Sequence, residues 1–154
     1  MFFNTKKKTE DNMPLLKKEN IILNCDRMEK NEAIKKVGKL LSDSGYVNEN
    51  YIEGMLERET TFSTNIGNGV ALPHGTEKVK KEINASGIAV LVCPNGTDWG
   101  GEDVNLIIGI AGKGNEHLEI LSNIAMTLME KETVESLING ESVDIIYDTF
   151  TKEA

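Results

Sequence analysis

The chain reads as a single α/β domain, a mixed β-sheet flanked by helices on both faces. Three observations predict this. Residues 87–92 and 104–111 are near-continuous apolar runs rich in β-branched side chains, the signature of central strands covered on both faces. Segments of helical periodicity lie before and after them and supply the cover. The length, 154 residues, suits one core, since a chain of that size buries roughly 70% of the surface its unfolded form exposes.

Taken in order, Ile21-Ile22-Leu23 is a short apolar run of strand type. Asn31 precedes a helical pattern with Ala33, Ile34, Val37, Leu40 and Leu41 on one face, stopped at Gly45. A second helix is expected from Asn48 as cap, with Tyr51, Ile52, Met55 and Leu56 in one stripe and Arg58 near its end, where a cation suits the helix dipole. Ile66-Gly67-Asn68-Gly69 is turn chemistry, and Val70-Ala71-Leu72 is a short strand that Pro73 terminates or holds at an edge. Between the two central strands, Pro94-Asn95-Gly96 and Gly100-Gly101 predict a loop with Trp99 on its rim. Asn115 then caps a helix bearing Leu118, Leu121, Ile124, Ala125 and Leu128. Residues 133–139 form a short helix stopped by Gly140, and Ser142 caps a last one with Val143, Ile146 and Phe150. No internal repeat or low-complexity segment interrupts the pattern.

Composition narrows the function. A net charge of −8 and a pI near 4.8 argue against a nucleic-acid surface, whose affinity comes largely from Lys and Arg neutralising phosphates, and favour a basic protein partner. No apolar run approaches the roughly 20 residues needed to span a bilayer, so no direct membrane insertion is expected. Residues 1–12 combine Phe2, Phe3 and Lys6-Lys7-Lys8 without the apolar core of a signal peptide; they read as a flexible leader, with the domain at 13–154. Cys25 and Cys93, far apart in sequence, favour packing thiols in a reducing cytoplasm over a disulfide framework.

The chemistry rests on few residues. The chain has two histidines, and imidazole is the side chain whose unperturbed pKa lies nearest neutrality. His74 follows a strand between Pro73, which stiffens the approach, and Gly75, which removes bulk beside the ring. That suits an exposed nucleophile; a turn histidine bonding its own loop is the other reading. His117 falls in the first turn of a helix after Gly112-Lys113-Gly114-Asn115, where free N–H groups favour an anion and a neutral imidazole. Arg58 is either a solvated helix-end cation or a guanidinium that grips two phosphoryl oxygens. Two histidines and an arginine together suit phosphoryl transfer, which needs positioning and charge stabilisation above all. A zinc site from His74, His117, Cys25 and Cys93 has acceptable ligand types without the short spacings that mark such sites. A Cys93 hydrolase lacks anything that lowers the thiol pKa, and neither Gly-rich nucleotide motif is present.

The segment Gly67-Asn68-Gly69-Val70-Ala71-Leu72-Pro73-His74-Gly75-Thr76, followed by Ile108-Gly109-Ile110-Ala111 and Asn115-Glu116-His117-Leu118, resembles the enzyme IIA component of the bacterial sugar phosphotransferase system, fructose/mannitol class. The resemblance spans residues 15–150 and includes Tyr-Ile-Glu-Gly-Met-Leu-Glu-Arg-Glu at 51–59. It implies a cytoplasmic phosphocarrier that accepts a phosphoryl group from the phosphorylated histidine phosphocarrier protein (HPr) and passes it to a cysteine of a sugar-specific IIB domain, with no cofactor and no metal. It implies that His74 is the acceptor, through Nε2, and that His117 and Arg58 stabilise the group. Asn68 stands where some mannitol relatives carry a carboxylate. Pro-His-Gly-Thr with Asn-Glu-His looks most like the mannitol branch, whose membrane IIC and cysteine-bearing IIB parts would be separate chains. The alternative is a fructose-type or nitrogen-regulatory relative, in which the phosphohistidine of the latter controls protein binding.

Overall fold

The structure, a computed structural model, describes residues 13–151; the leader expected at 1–12 lies outside the described residues. Along the chain run β1 (Ile21–Ile22), α1 (Lys30–Asp43), α2 (Tyr51–Thr61), β2 (Asn65–Gly67), β3 (Val70–Ala71), β4 (Gly87–Asp98), β5 (Asp103–Ala111), α3 (Glu116–Thr127), α4 (Lys131–Asn139) and α5 (Val143–Thr151). Short 3-10 turns occupy Lys18–Asn20 and Glu77–Glu82. The sheet order is β1-β4-β5-β3-β2. β1 and β3 run parallel to their central neighbours β4 and β5, while β4–β5 and β2–β3 are antiparallel. This is the expected mixed sheet.

Strand periodicity divides the core in two, because successive side chains point to opposite faces. Ile88, Val90 and Val92 of β4 join Leu106, Ile108 and Ile110 of β5 against Ile120, Ile124, Val134, Leu137, Ile146 and Phe150 of α3–α5. Ala89, Leu91 and Cys93 join Ile107 and Ala111 against Ala33, Ile34, Val37 and Leu41 of α1 and Tyr51 and Met55 of α2. Each large aliphatic side chain so buried contributes about 1.5–3 kcal/mol relative to exposure. Cys25 and Cys93 are buried together in the second cluster as free thiols, which is the packing role expected of them.

Several local expectations are corrected. Residues 65–67 form an edge strand that the sequence hid in its turn signal, because Ile66 is half exposed and marks no core face. β4 continues through Pro94-Asn95-Gly96, with a register irregularity between Val92 and Thr97 that accommodates the proline. The Asn105 amide donates to the Cys93 and Pro94 carbonyls there, at 3.1 and 3.2 Å. Trp99 is buried, not on the rim: pairing of Asp98 with Asp103 closes the hairpin and folds the indole into the α1–α2 side. α1 starts at Lys30, before Asn31, and α4 at Lys131. Asn48 does not cap α2; Asn50 precedes the helix, and the Asn48 side chain accepts from Asn84 instead. Asn115 holds the N-cap position without a side-chain bond, and Leu118 is exposed because the buried stripe of α3 runs through Ile120 and Ile124. Gly140 caps α4, but the residue turned left-handed is Glu141. Ser142 does cap α5, its Oγ accepting from Ile145 N at 3.2 Å.

Candidate functional site

β3 and β5 run parallel, so their carboxyl ends meet at one end of the sheet, and there the two histidines converge. Beyond β3, the Pro73 carbonyl accepts from Ile110 N at 2.9 Å and His74 bridges to Ile110. This pairing holds the His74 backbone against β5. His74 Nδ1 lies 2.8 Å from the Leu72 carbonyl. A carbonyl only accepts, so Nδ1 carries the proton and Nε2 keeps the free lone pair. The bland reading, a histidine bonded to its own loop, and the functional one therefore coincide: the loop bond selects the tautomer that a nucleophilic Nε2 needs.

Tyr51, expected only as a core residue of α2, ties this loop down. Its hydroxyl donates to the Ile110 carbonyl at 2.8 Å and accepts from Gly75 N at 2.9 Å. Burial pushes its pKa up to about 12, so it stays a donor at neutral pH. A Cβ on Gly75 would sit 2.6 Å from the Tyr51 ring and 2.7 Å from Val79, which is why the residue after His74 has no side chain. A hydroxyl on an otherwise apolar helical stripe was the signal available in the sequence, since a buried phenol needs a partner.

His117 is brought in by the fold-back between β5 and α3. A Cβ on Gly112 would lie 2.3 Å from His117 Cα, so only glycine lets the first turn of α3 come this close. Ser86 Oγ accepts from Lys113 N at 2.9 Å and donates to the Glu116 carboxylate, fixing the loop to the start of β4. The two imidazole rings stand 5.2 Å apart between centroids, inclined at 56°. Arg58, in the last turn of α2, donates to the Phe62 carbonyl at 2.9 Å.

The electrostatics favour neutral imidazoles. Burial is the main cause lowering the His74 pKa below 6.5; the Leu72 contact opposes it, and the Arg58 charge adds to it. His117 is lowered by burial first, then by His74, Lys80 and Arg58, against Glu77. Lys80, in the 3-10 turn and paired with Glu77 at 3.7 Å, is thus a charge near His117 that sequence reading missed. Because the folded state binds these protons less readily than the unfolded chain, the histidine contribution to stability is fully present above pH 6.5 and is lost as pH falls from there through the folded-state values. NMR titration should accordingly give His74 and His117 midpoints below 6.5, and denaturant unfolding should show stability declining on that acid side.

The sequence-predicted set is thereby sorted. His74 and His117 come together, with Arg58 near enough for its charge to act on both. Among the described residues no group of three His, Cys, Asp or Glu side chains could hold a metal, and Cys25 and Cys93 lie in the core beneath α1. No helix among them is long and apolar enough to cross a membrane. Asn68 is at the other end of β3. It adopts φ +56° and its amide donates to the Leu128 and Met129 carbonyls, at 3.3 and 3.1 Å, closing the C-terminus of α3. Asn68→Ala should lower stability by about 1–3 kcal/mol, read as a drop in Tm, while the reactivity of His74 stays unchanged.

Exposed Leu118 follows His117, and exposed Phe62 supplies the carbonyl that holds Arg58. Large apolar side chains flanking a polar centre suit transient docking of a protein surface. A neutral nucleophilic nitrogen, a second imidazole and a guanidinium within electrostatic range can accept and hold a phosphoryl group.

Comparison with known proteins decides the family. The profile of "Phosphoenolpyruvate-dependent sugar phosphotransferase system, EIIA 2" matches residues 14–153. The chain belongs to this enzyme IIA family. It is 50% identical over 135 residues to the mannitol-specific phosphotransferase enzyme IIA component of Geobacillus stearothermophilus, covering 87% of this chain and 93% of that one. Among solved structures, the Escherichia coli complex of enzyme IIAMTL with phosphorylated enzyme IIBMTL contains a chain that superposes with a TM-score of 0.83 at 32% identity, covering 90% of this chain and all of that one. The nitrogen regulatory protein IIA-Ntr of Neisseria meningitidis gives 0.76 at 26% identity, covering 89% and 97%. A IIA component is a phosphotransferase part, and the site described above lies within the matched span.

Proposed function

We propose that this chain is a cytoplasmic mannitol-specific IIA phosphocarrier, with residues 13–154 acting as one phosphocarrier domain. His74 accepts the phosphoryl group from phosphorylated HPr and yields it to the cysteine of a mannitol-specific IIB domain that works with IIC. The observation that carries this is the Nδ1–H to Leu72 carbonyl bond, which leaves Nε2 as the nucleophile beside His117. The 50% identity to a mannitol-specific IIA component supports the sugar, and the Escherichia coli complex supports the IIB partner.

In the forward step the Nε2 lone pair forms the N–P bond as the bond from phosphorus to the HPr histidine breaks; the donor ring, protonated on its other nitrogen, leaves as a neutral imidazole, and His74 keeps its Nδ1 proton, bonded to the Leu72 carbonyl. Arg58 and His117 hold the equatorial oxygens through a loose transition state. The second step reverses these roles, with the thiolate of IIB attacking phosphorus. Incubation with phosphorylated HPr followed by mass analysis of the His74 and His117 peptides tests the acceptor. Adding mannitol-specific IIB and IIC with mannitol then tests the sugar: discharge of the label supports transport. Retention of the label with mannitol and fructose systems alike would replace it with the nitrogen-regulatory role.

A further inference from the structure

Glu59 stands next to Arg58 and is 5% exposed, a buried carboxylate with no part in the transfer described so far. Three neutral donors converge on it. Thr64 N and Thr64 Oγ1 donate at 2.8 and 2.6 Å, and Trp99 Nε1 at 3.0 Å. Together they fasten the last turn of α2, the segment entering β2 and the β4–β5 turn at one point. A carboxylate withdrawn from water is costly unless its oxygens are bonded in this way, and a fully satisfied buried network is rigid. The segment it closes, residues 59–64, contains Phe62, whose carbonyl receives the Arg58 guanidinium at 2.9 Å.

We propose that Glu59 is a positioning residue for phosphoryl transfer: bonded to Trp99 and Thr64, it sets the Phe62 carbonyl and, through it, the Arg58 guanidinium. Arg58 and Glu59 therefore act as a unit in which the arginine meets the phosphoryl and the glutamate places the arginine. This rests on the reading of His74 as acceptor. A guanidinium misplaced by about 1 Å forfeits much of its benefit, because positioning errors of that size cost up to about 100-fold in rate.

A double-mutant cycle on single-turnover labelling of His74 by phosphorylated HPr tests it. Glu59→Gln keeps the shape but offers an N–H group where Thr64 and Trp99 also donate; it should slow transfer about 10-fold at saturating donor, with little change in the half-saturating concentration. Arg58→Met should slow it about 100-fold. The double variant should be no slower than Arg58→Met alone, within about threefold, because the positioning effect of the glutamate runs through the arginine; its charge also acts on His74, in the opposite sense to that of Arg58, and Thr64→Val and Trp99→Phe leave that charge in place. Thr64→Val and Trp99→Phe each remove one donor and should give smaller losses that likewise vanish in the Arg58→Met background; they carry the cycle if Glu59→Gln does not fold. Wild-type rates in these variants, or losses that multiply with that of Arg58→Met, overturn the proposal. Absence of label on His74 in the unaltered protein is a different result and overturns the functional reading itself.

Discussion

Alanine at position 74 is expected to abolish phosphoryl acceptance: after incubation with phosphorylated HPr, the variant should show no added phosphoryl by mass, where the unaltered chain is fully labelled. No nearby group replaces the lost one. His117 is held in the first turn of α3, and in the proposed mechanism its ring serves a group already placed on His74. The fold should survive the change, since His74 is only partly buried and contributes one side-chain bond, to Leu72, worth about 1 kcal/mol. Unfolding measured alongside labelling separates the two effects. Full label on His117 in the His74→Ala protein would exchange the roles of the histidines.

The second large effect falls on the groups proposed to hold the phosphoryl oxygens. Arg58→Met should slow labelling about 100-fold and His117→Ala about 100- to 1000-fold without abolishing it, the usual loss when one preorganised electrostatic donor is removed. Arg58 has an independent signature. Its charge lowers the His74 pKa, so the methionine variant should move the His74 titration midpoint upward, toward 6.5, and carry the acid limb of the rate profile with it. A slower protein with an unshifted midpoint would place the guanidinium too far from His74 for the role assigned to it.

Much of the fold was legible in the sequence because it is encoded at short range. The apolar runs at 87–92 and 104–111 alternate between two faces whatever surrounds them, so they announce a sheet covered on both sides. Pro73 and Gly75 bracket His74, and the glycines before Asn115 announce a tight return to a helix. The failures share a cause. Trp99 lies among glycines and reads as exposed, yet its indole is drawn inward by Glu59, 40 residues away. Leu118 fits a helical stripe by spacing, but the face of α3 that meets the sheet is set by Ile120 and Ile124. Asn68 occupies a familiar place in the motif, and only the fold reveals the Leu128 and Met129 carbonyls it serves.

From its sequence alone, then, this protein is determined as a two-sided α/β domain whose resemblance picks out His74, His117 and Arg58. What those residues can do was decided by tertiary structure. The parallel pairing of β3 with β5 brings the two imidazole centroids to 5.2 Å; the Leu72 carbonyl selects the His74 tautomer; the bonds of Thr64 to Glu59 close the segment whose Phe62 carbonyl meets Arg58, and Trp99 ties that segment to the β4–β5 turn. Periodicity is a property of neighbouring residues, but register and convergence arise only when distant segments pack, and the chemistry depends on that convergence.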